Sequence, residues 1–524
     1  MGNNQNKKPS RPTSNQATRT SRSSASLVTP LSNGTLVLGL LVIFGLGMVI
    51  RIHNMEAMAP TFDEPFHVLQ GVNFMQYGVR FWPDLHPALF EWLIGRVARL
   101  VADFENVQAF TNNADVYTGP YQYRLDLFSH LPEDFVLLRF RYIFQAFYIM
   151  TVGSCLWMAK KCSFSVPSLL AILAFLLLEP ALIGITTILG NDMVAVAFAA
   201  TGTALALSEG GLFTALSLLL FSAAWATKWT TSLWCVPLLI GFVTKKLPRR
   251  ILVSWGIGAI GGYLLSLGTS GLPTVTSQLT HPSFRMTYLD GVTKTTPFSF
   301  YFLQGLLCKS SLAVLVALGV AIHSWYAGRR SLVGLTVSVI LIGSLMLSSQ
   351  ILPGIGVRLV LPITMSILVL LAYSIDTPKK LGIIVALLLL ECGLNYDALM
   401  AYQNPLAGRE LRLMDSNTDM GQGLKSLVEW RKTHLDLPLA IANFGGTPPE
   451  TYGLIDYIPM ESFPKINSKE KLLEGGNFTG YIAVSRNFLV GYIVSSPSLL
   501  SLSQFSPVIC FQNAMCVFDT RTFK

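Results

Sequence analysis

The stretch Thr61–Gly71, TFDEPFHVLQG, decides how this chain is read. It follows the first membrane-length apolar run, 34–51, and sets two adjacent acids, Asp63 and Glu64, shortly ahead of His67. Ionisable side chains are costly at membrane depth, so a cluster at the edge of a span points to a functional site. The plainer alternative is a solvated loop in which Asp63, Glu64 and Pro65 only start a helix running toward Tyr77. The positions of the other unusual residues bear on that choice.

Working outward, the composition is that of an all-α polytopic membrane protein. Of 524 residues 51% are hydrophobic and 13% charged, with a mean hydropathy of +0.50; a soluble globular chain carries about a quarter charged residues. The net charge of +9 comes from short basic clusters between apolar runs, which does not make a nucleic-acid-binding surface. Apolar runs able to cross roughly 30 Å of hydrocarbon lie near 34–51, 135–158, 166–188, 191–208, 211–227, 229–244, 250–269, 298–322, 331–349, 357–375 and 380–398, about eleven spans. Residues 1–33 are polar and basic and read as a disordered tail. The helical region runs over 34–399, and 400–524 forms a further small α/β domain.

Charge asymmetry gives the orientation. Lys7, Lys8, Arg11, Arg19 and Arg22 precede the first span; Lys160 and Lys161, Lys245 to Arg250, Arg329 and Arg330, and Lys379 and Lys380 occupy alternate connections. The positive-inside rule places these in the cytoplasm, with the tail domain outside, as in a bacterial inner (plasma) membrane. The long first outer loop, 52–134, then carries Asp63, Glu64, His67, Asp84 and His86, with 64–78 and 86–102 patterned as interfacial amphipathic helices. Asp192, Lys228, Tyr288, Lys309 and Arg358 gather at the same face. Each has its plain explanation: Lys228 and Arg358 can snorkel to headgroups, and Asp192 can cap a helix. Lys309 lies deeper in an apolar run and needs a partner.

Seven cysteines lack metal-ligand spacing; five lie in or beside spans, while Cys510 and Cys516 flank FQNAM and can close a hairpin by a disulfide. In the tail, LKSLVEWRK reads as an amphipathic helix, and LDLPLAIANFG, TGYIAVSRNFLVG and FSPVICFQNAMCVFDT as strands with turns. A carboxylate near cations at one membrane face suits transfer from a lipid-borne phosphate: the acid takes a proton from an attacking hydroxyl and the cations hold the departing phosphate. No glycine-rich phosphate loop is present, which argues against a nucleotide donor bound from the cytoplasm.

TFDEPFHVLQG and FWPDLHPALFEWLIG resemble the first outer loop of the protein O-mannosyltransferases, with Ala88 in place of a second proline. TTILGNDMVAVAF is similar to that family's second acidic element, and WATKWTTSLW to its Thr-Lys span. HPSFRMTYLDG, SFYFLQGLLCKSSL, IGVRLVLPI, DSNTDMGQGLKSLVEW, NFGGTPPETYGL and TGYIAVSRNFLVG resemble segments of bacterial phospholipid-carrier-dependent glycosyltransferases. The resemblance implies a GT-C-like fold and inverting transfer of a sugar, mannose-like or another hexose, from a polyprenyl-phosphate donor. The acceptor hydroxyl is on a protein, lipid or polysaccharide. Asp63 would be the general base, and Glu64, catalytic beside it, would with Asp192 shape the acceptor or donor pocket. Lys309 and Arg358 would contact phosphate, as would Arg139 or Arg141. His67, His86, Lys228 and Tyr288 would complete the substrate site. No metal cofactor is implied, although the Asp63/Glu64 pair can attract a divalent cation adventitiously. A transporter or flippase of lipid-linked glycans, an assembly scaffold, and a polymerase or ligase are the competing readings.

Overall fold

The computed structural model describes residues 33–78, 80, 87–101, 134–270, 287–296, 298–327, 332–352, 354–408, 412–462, 478–492 and 497–523. The tail before residue 33 and His86 therefore lie outside the described residues. Two helices, α1 (Asn33–Ala57) and α4 (Asp134–Lys161), each contain a stretch long and apolar enough to cross a membrane alone. Between them come α2 (Asp63–Tyr77) and α3 (Leu89–Val101), both from the first long loop.

Next come α5 (Val166–Leu178) and α6 (Pro180–Thr186), which pass the same test only as a pair bent by 58°. Pro180 supplies no amide hydrogen and pushes Glu179 into extended backbone, so the helix breaks there. After α7 (Asn191–Ala206), α8 (Gly211–Thr227), α9 (Cys235–Val243) and α10 (Arg249–Ser270), a second pair, α11 (Tyr301–Lys309) and α12 (Leu312–Ala327), is bent by 110°. The set closes with α13 (Leu332–Ile351), α14 (Leu361–Tyr373) and α15 (Pro378–Leu394). By length and composition the described residues thus hold two spans, or up to four if each bent pair is one, against about eleven apolar runs in the sequence. Several of the runs form apolar helices shorter than 18 residues, such as Gly211–Thr227 and Trp229–Val243, which match the runs 211–227 and 229–244 but fall short of that length.

At the centre, α5 is buried on every side from Leu170 to Leu178, against α1, α4, α14 and α15. A helix apolar all round belongs in a core, and its small neighbours Ala197, Ala199, Ala200 and Ala372 let helices approach closely. The loop helices do not match the interfacial expectation equally. Helix α3 keeps one buried face, Phe90, Ile94 and Ala98, and exposes Trp92 and Leu100. Helix α2 is buried continuously from Glu64 to Asn73 and sits inside the protein rather than on a bilayer surface. Its C-terminus stops at Gly78, whose φ of +69° suits a residue without Cβ and whose N–H reaches the Phe74 carbonyl.

The tail contributes α16 (Leu424–Arg431) and a five-stranded mixed sheet of β4 (Leu439–Asn443), β5 (Ile458–Ser462), β6 (Tyr481–Ser485), β7 (Ile509–Phe511) and β8 (Met515–Asp519), ordered β5-β4-β6-β8-β7. Strand β4 runs parallel to β5 and β6, while β8 pairs antiparallel with β6 and β7. Cys510 and Cys516 oppose each other across the β7–β8 ladder and are joined by a disulfide. A smaller sheet joins β1 (Thr287–Leu289) to β2 (Val292–Lys294) and to β3 (Leu413–Met414), stitching the start of the tail to the loop before α11.

The tail also grips the loop that carries the acids. Ala59 N–H donates to Gln422 O at 3.0 Å, Phe62 N–H donates to Met420 O at 2.8 Å, and the Phe62 ring stacks on Phe444. One apolar cluster runs from Phe66 and Leu69 of α2 through Phe90 and Phe140 to Ile482 and Phe518 of the sheet. The position of Asp63 is thereby tied to elements hundreds of residues away in sequence.

Helices α2 and α3 meet at Gly71 and Gly95, where a Cβ on Gly95 would lie 2.3 Å from the Gly71 carbonyl oxygen. Backbone on both sides cannot yield cheaply, so Gly95→Ala is expected to destabilise by about 1–3 kcal/mol. The measurement is the thermal midpoint of monodisperse protein in detergent, with Gly153→Ala as control because nothing lies within 4 Å of that Cβ.

Candidate active site at the helix ends

Glu64 begins as a local helix-start device. Thr61 stands three residues before it, and the Glu64 carboxylate accepts from Thr61 N–H at 2.8 Å and Thr61 Oγ1 at 3.0 Å. This is the backward-reaching half of a capping box. Tertiary structure then adds three longer-range bonds. Arg141 on α4 grips both oxygens, Nε to Oε1 at 2.8 Å and Nη2 to Oε2 at 2.7 Å, and Leu189 N–H donates to Oε1 at 2.8 Å. Arg141 spends its remaining donors on the carbonyls of Met55, Met58 and Ala59. Burial would push the Glu64 carboxyl up, but Arg141 and the N–H donors outweigh it and hold it below the usual carboxylate range. Fully buried and fully bonded, the Glu64–Arg141 pair pins the start of α2 to α1, α4 and the α6–α7 turn.

Asp63, one residue earlier, points elsewhere. Its Oδ2 is 2.9 Å from Arg358 Nη2, and its side chain keeps 31% exposure against none for Glu64. Burial pushes its carboxyl up; Arg358 first, then His67 and Lys228, bring the net shift below the ordinary value. Across from it, Lys228 at the end of α8 pairs with Asp192 Oδ1 at 2.7 Å and donates to Asn191 Oδ1 at 2.8 Å, both at the start of α7. The helix N-terminus favours an acid there. His67, one turn along α2 from Asp63, packs edge-on against Phe90. Burial drives its imidazole down to about 4, with Asp63 and Asp192 opposing and Lys228 and Arg358 reinforcing the shift, so it is neutral near pH 7. Asp63, His67, Asp192, Lys228 and Arg358 therefore form one electrostatically connected group.

Lys309, at the end of α11, lies against a strap formed by Leu413–Met420. Its Nζ donates to Asn417 O at 3.0 Å and Thr418 Oγ1 at 3.2 Å, and Asp415 Oδ1 is 3.7 Å away. The same strap meets Arg358 through its backbone N–H, 3.5 Å from Asn417 Oδ1, and through Met420 Sδ, 3.9 Å from Nη1. Lys309 also lines a small, mostly apolar pocket of about 30 Å³, together with Glu179, Leu182, Leu306, Val357, Leu361 and Leu368. Tyr288 on β1 is paired with Met414 of the strap and is buried beside Tyr492, not in the ionic group itself.

Two features were not legible from spacing. Glu179, at the Pro180 break, accepts from Ser311 N–H at 2.9 Å and Ser311 Oγ at 2.5 Å; Glu391 accepts from Leu312 N–H at 3.0 Å and from Tyr402. Both carboxylates cap the first turn of α12, where helix N–H groups lack intrahelical partners. Asp415 is the other. In sequence it reads as part of a polar tail, and only the return of the strap onto α11 makes it the carboxylate facing Lys309. The structure does not bring Arg139 into the group: two residues from Arg141 on α4, its exposed guanidinium donates to Val101 O at 2.9 Å. Among the described residues no group of three or more His, Cys, Asp or Glu side chains could hold a metal ion.

No family model matches the chain, and no curated protein matches it in sequence. Among solved structures it is similar to the crystal structure of ArnT from Cupriavidus metallidurans bound to undecaprenyl phosphate. That likeness covers 92% of this chain and 98% of that one, at 11% identity and a TM-score of 0.47.

The two neighbouring acids should respond differently to substitution. Glu64→Ala leaves the buried Arg141 unpaired and is expected to cost about 3–5 kcal/mol, read as a large loss of folded, monodisperse protein on heating. Asp63→Asn, partly exposed and nearly isosteric, should hold the thermal midpoint close to wild type.

Proposed function

We propose that the protein is a glycosyltransferase that moves a sugar from a polyprenyl-phosphate carrier to an acceptor hydroxyl, at the membrane face that the charge distribution places outside the cell. The observation that carries the reading is the Asp63–Arg358 pair, 2.9 Å apart and part-open, with Lys228, Asp192 and His67 grouped around it. One exposed base next to several cations at the ends of apolar helices fits a lipid-anchored anion reacting with a neutral hydroxyl.

In this mechanism the acceptor oxygen attacks the anomeric carbon as the bond from that carbon to the phosphate oxygen breaks. Asp63 takes the hydroxyl proton, the electron pair of the broken bond stays on the phosphate, and configuration inverts in one displacement. Arg358 and Lys309 hold the phosphate and stabilise its growing charge. Asp192, held by Lys228, and neutral His67 orient the sugar or the acceptor by hydrogen bonds. Glu64 acts through Arg141 and Leu189, fixing where Asp63 stands rather than meeting substrate. The order of motifs resembling lipid-carrier glycosyltransferases supports the same class. The sugar is a hexose of mannose-like type, and no metal is needed to activate the phosphate in this scheme.

Purified protein in nanodiscs is incubated with a panel of radiolabelled polyprenyl-phosphate sugars. One donor should be consumed, with Asp63→Asn slower by about 10²–10⁴-fold, the usual worth of a general base. Full turnover in Asp63→Asn would remove the base assignment. Movement of intact lipid-linked glycan across proteoliposomes without bond cleavage would favour a flippase.

The pH profile tests the electrostatics separately. Asp63 lies below its usual range and His67 near 4. A depressed carboxylate loses its charge only as pH falls through that lowered value, so kcat/KM for the donor should show no acid limb between pH 5 and 7. A limb at about pH 6 would place a different group in the base role.

A further inference from the structure

Arg358 is paired with the proposed base, and its guanidinium is only partly used. Nη2 meets Asp63 Oδ2 at 2.9 Å; Nη1 faces the weakly accepting sulfur of Met420 at 3.9 Å; Nε is buried without a hydrogen-bond partner. A guanidinium normally binds oxyanions through paired, parallel N–H groups. Here one edge is committed to a single carboxylate oxygen and the rest lacks an oxygen acceptor. The residue's backbone is nevertheless held. Gly356, at φ +142°, packs so closely on the strap that a Cβ would meet Asn417 Oδ1 at 1.8 Å, and Arg358 N–H faces that same oxygen. A fixed backbone under a long side chain lets the guanidinium turn without moving the helix.

Resting on the glycosyltransferase reading, we propose that Arg358 is a latch shared between Asp63 and the donor phosphate, so that the general base is released only once the donor has bound. A phosphodiester arriving beside Lys309 presents two oxygens to the unused N–H groups of Arg358 and draws the guanidinium from Asp63. Asp63 then loses its principal counter-ion and becomes the stronger base. The groups facing it are Arg358 from the turn before α14, His67 from α2 and Lys228 from the end of α8; Asp192 and Asp415 face Arg358 from the other side. Arg358 is the group seen in an ion pair with Asp63, at 2.9 Å, so moving it changes the environment of Asp63 directly. The consequence is ordered binding, donor before acceptor. Without donor, Asp63 stays paired and does not activate water or acceptor.

The test follows the protonation of Asp63 directly. Full-length protein in nanodiscs is labelled with a water-soluble carbodiimide across pH 3–8, and modification of Asp63 is read by mass spectrometry, with a long-chain prenyl phosphate, with the matching prenol, or with neither. Binding of each lipid is measured in parallel. The midpoint for Asp63 should rise by about 1–3 pH units with prenyl phosphate, the size of a lost arginine neighbour, and stay in place with prenol. In Arg358→Gln the midpoint should already be high without lipid. A wild-type midpoint that stays in place while prenyl phosphate binds overturns the latch and leaves the donor assignment standing. Prenyl phosphate that binds no better than prenol overturns the donor assignment and the latch with it.

Discussion

The buried pair between Glu64 and Arg141 is the constraint from which the site takes its shape. Five hydrogen bonds end on that one carboxylate, from Thr61, Arg141 and Leu189. Arg141 in turn ties down the carbonyls of the chain leaving α1. Taking two charges out of water carries a large desolvation cost, and such a pair stabilises only when the geometry is good and every lone pair and proton is satisfied. Here those conditions are met, so the pair converts a flexible loop start into a rigid mount. Phe62, between Thr61 and Asp63, then packs on Phe444 and Phe66, and the mount extends into the tail sheet.

On that mount, adjacent acids acquire opposite characters. Successive residues on a helix diverge by about 100°. Glu64 therefore turns into the protein while Asp63 faces the ends of α7, α8 and α14. The same chemical group is in one case a satisfied anchor and in the other a part-exposed carboxylate held by a single ion pair. Electrostatics follows from this placement. The cations around Asp63 keep it ionised despite burial, and the same field together with burial keeps His67 neutral. A neutral imidazole beside an ionised carboxylate can offer a hydrogen bond without adding charge.

Broken helices serve the site as much as intact ones do. The break at Ser310 frees backbone N–H groups at the start of α12, and two buried acids, Glu179 at the Pro180 break and Glu391 on α15, satisfy them. In a low-dielectric interior an unpaired N–H or C=O costs several kcal/mol, so the break is sustained by those acids. The bend also brings Lys309 to the edge of the strap, where Asp415, Asn417 and Thr418 surround it with oxygen atoms. The tail thus contacts both cations instead of standing apart from the helices.

What the sequence determined by itself follows from local rules: apolar length for the long helices, alternation and turn residues for the tail strands, and ionisable residues set at the ends of apolar runs. Asp63, His67, Asp192, Lys228 and Arg358 could be picked out in this way because charge next to hydrocarbon is costly wherever it occurs. Tertiary structure alone decided which of two near neighbours acts. Arg139 and Arg141 differ by two positions, about 200° around a helix, so one guanidinium caps α3 at the surface and the other is buried against Glu64. The T-x-x-E spacing from Thr61 to Glu64 carried the helix-start signal, but nothing local announces a partner 77 residues later. Glu179, Glu391 and Asp415 were equally hidden, because their roles depend on helix ends and a returning strap that exist only after the chain has folded.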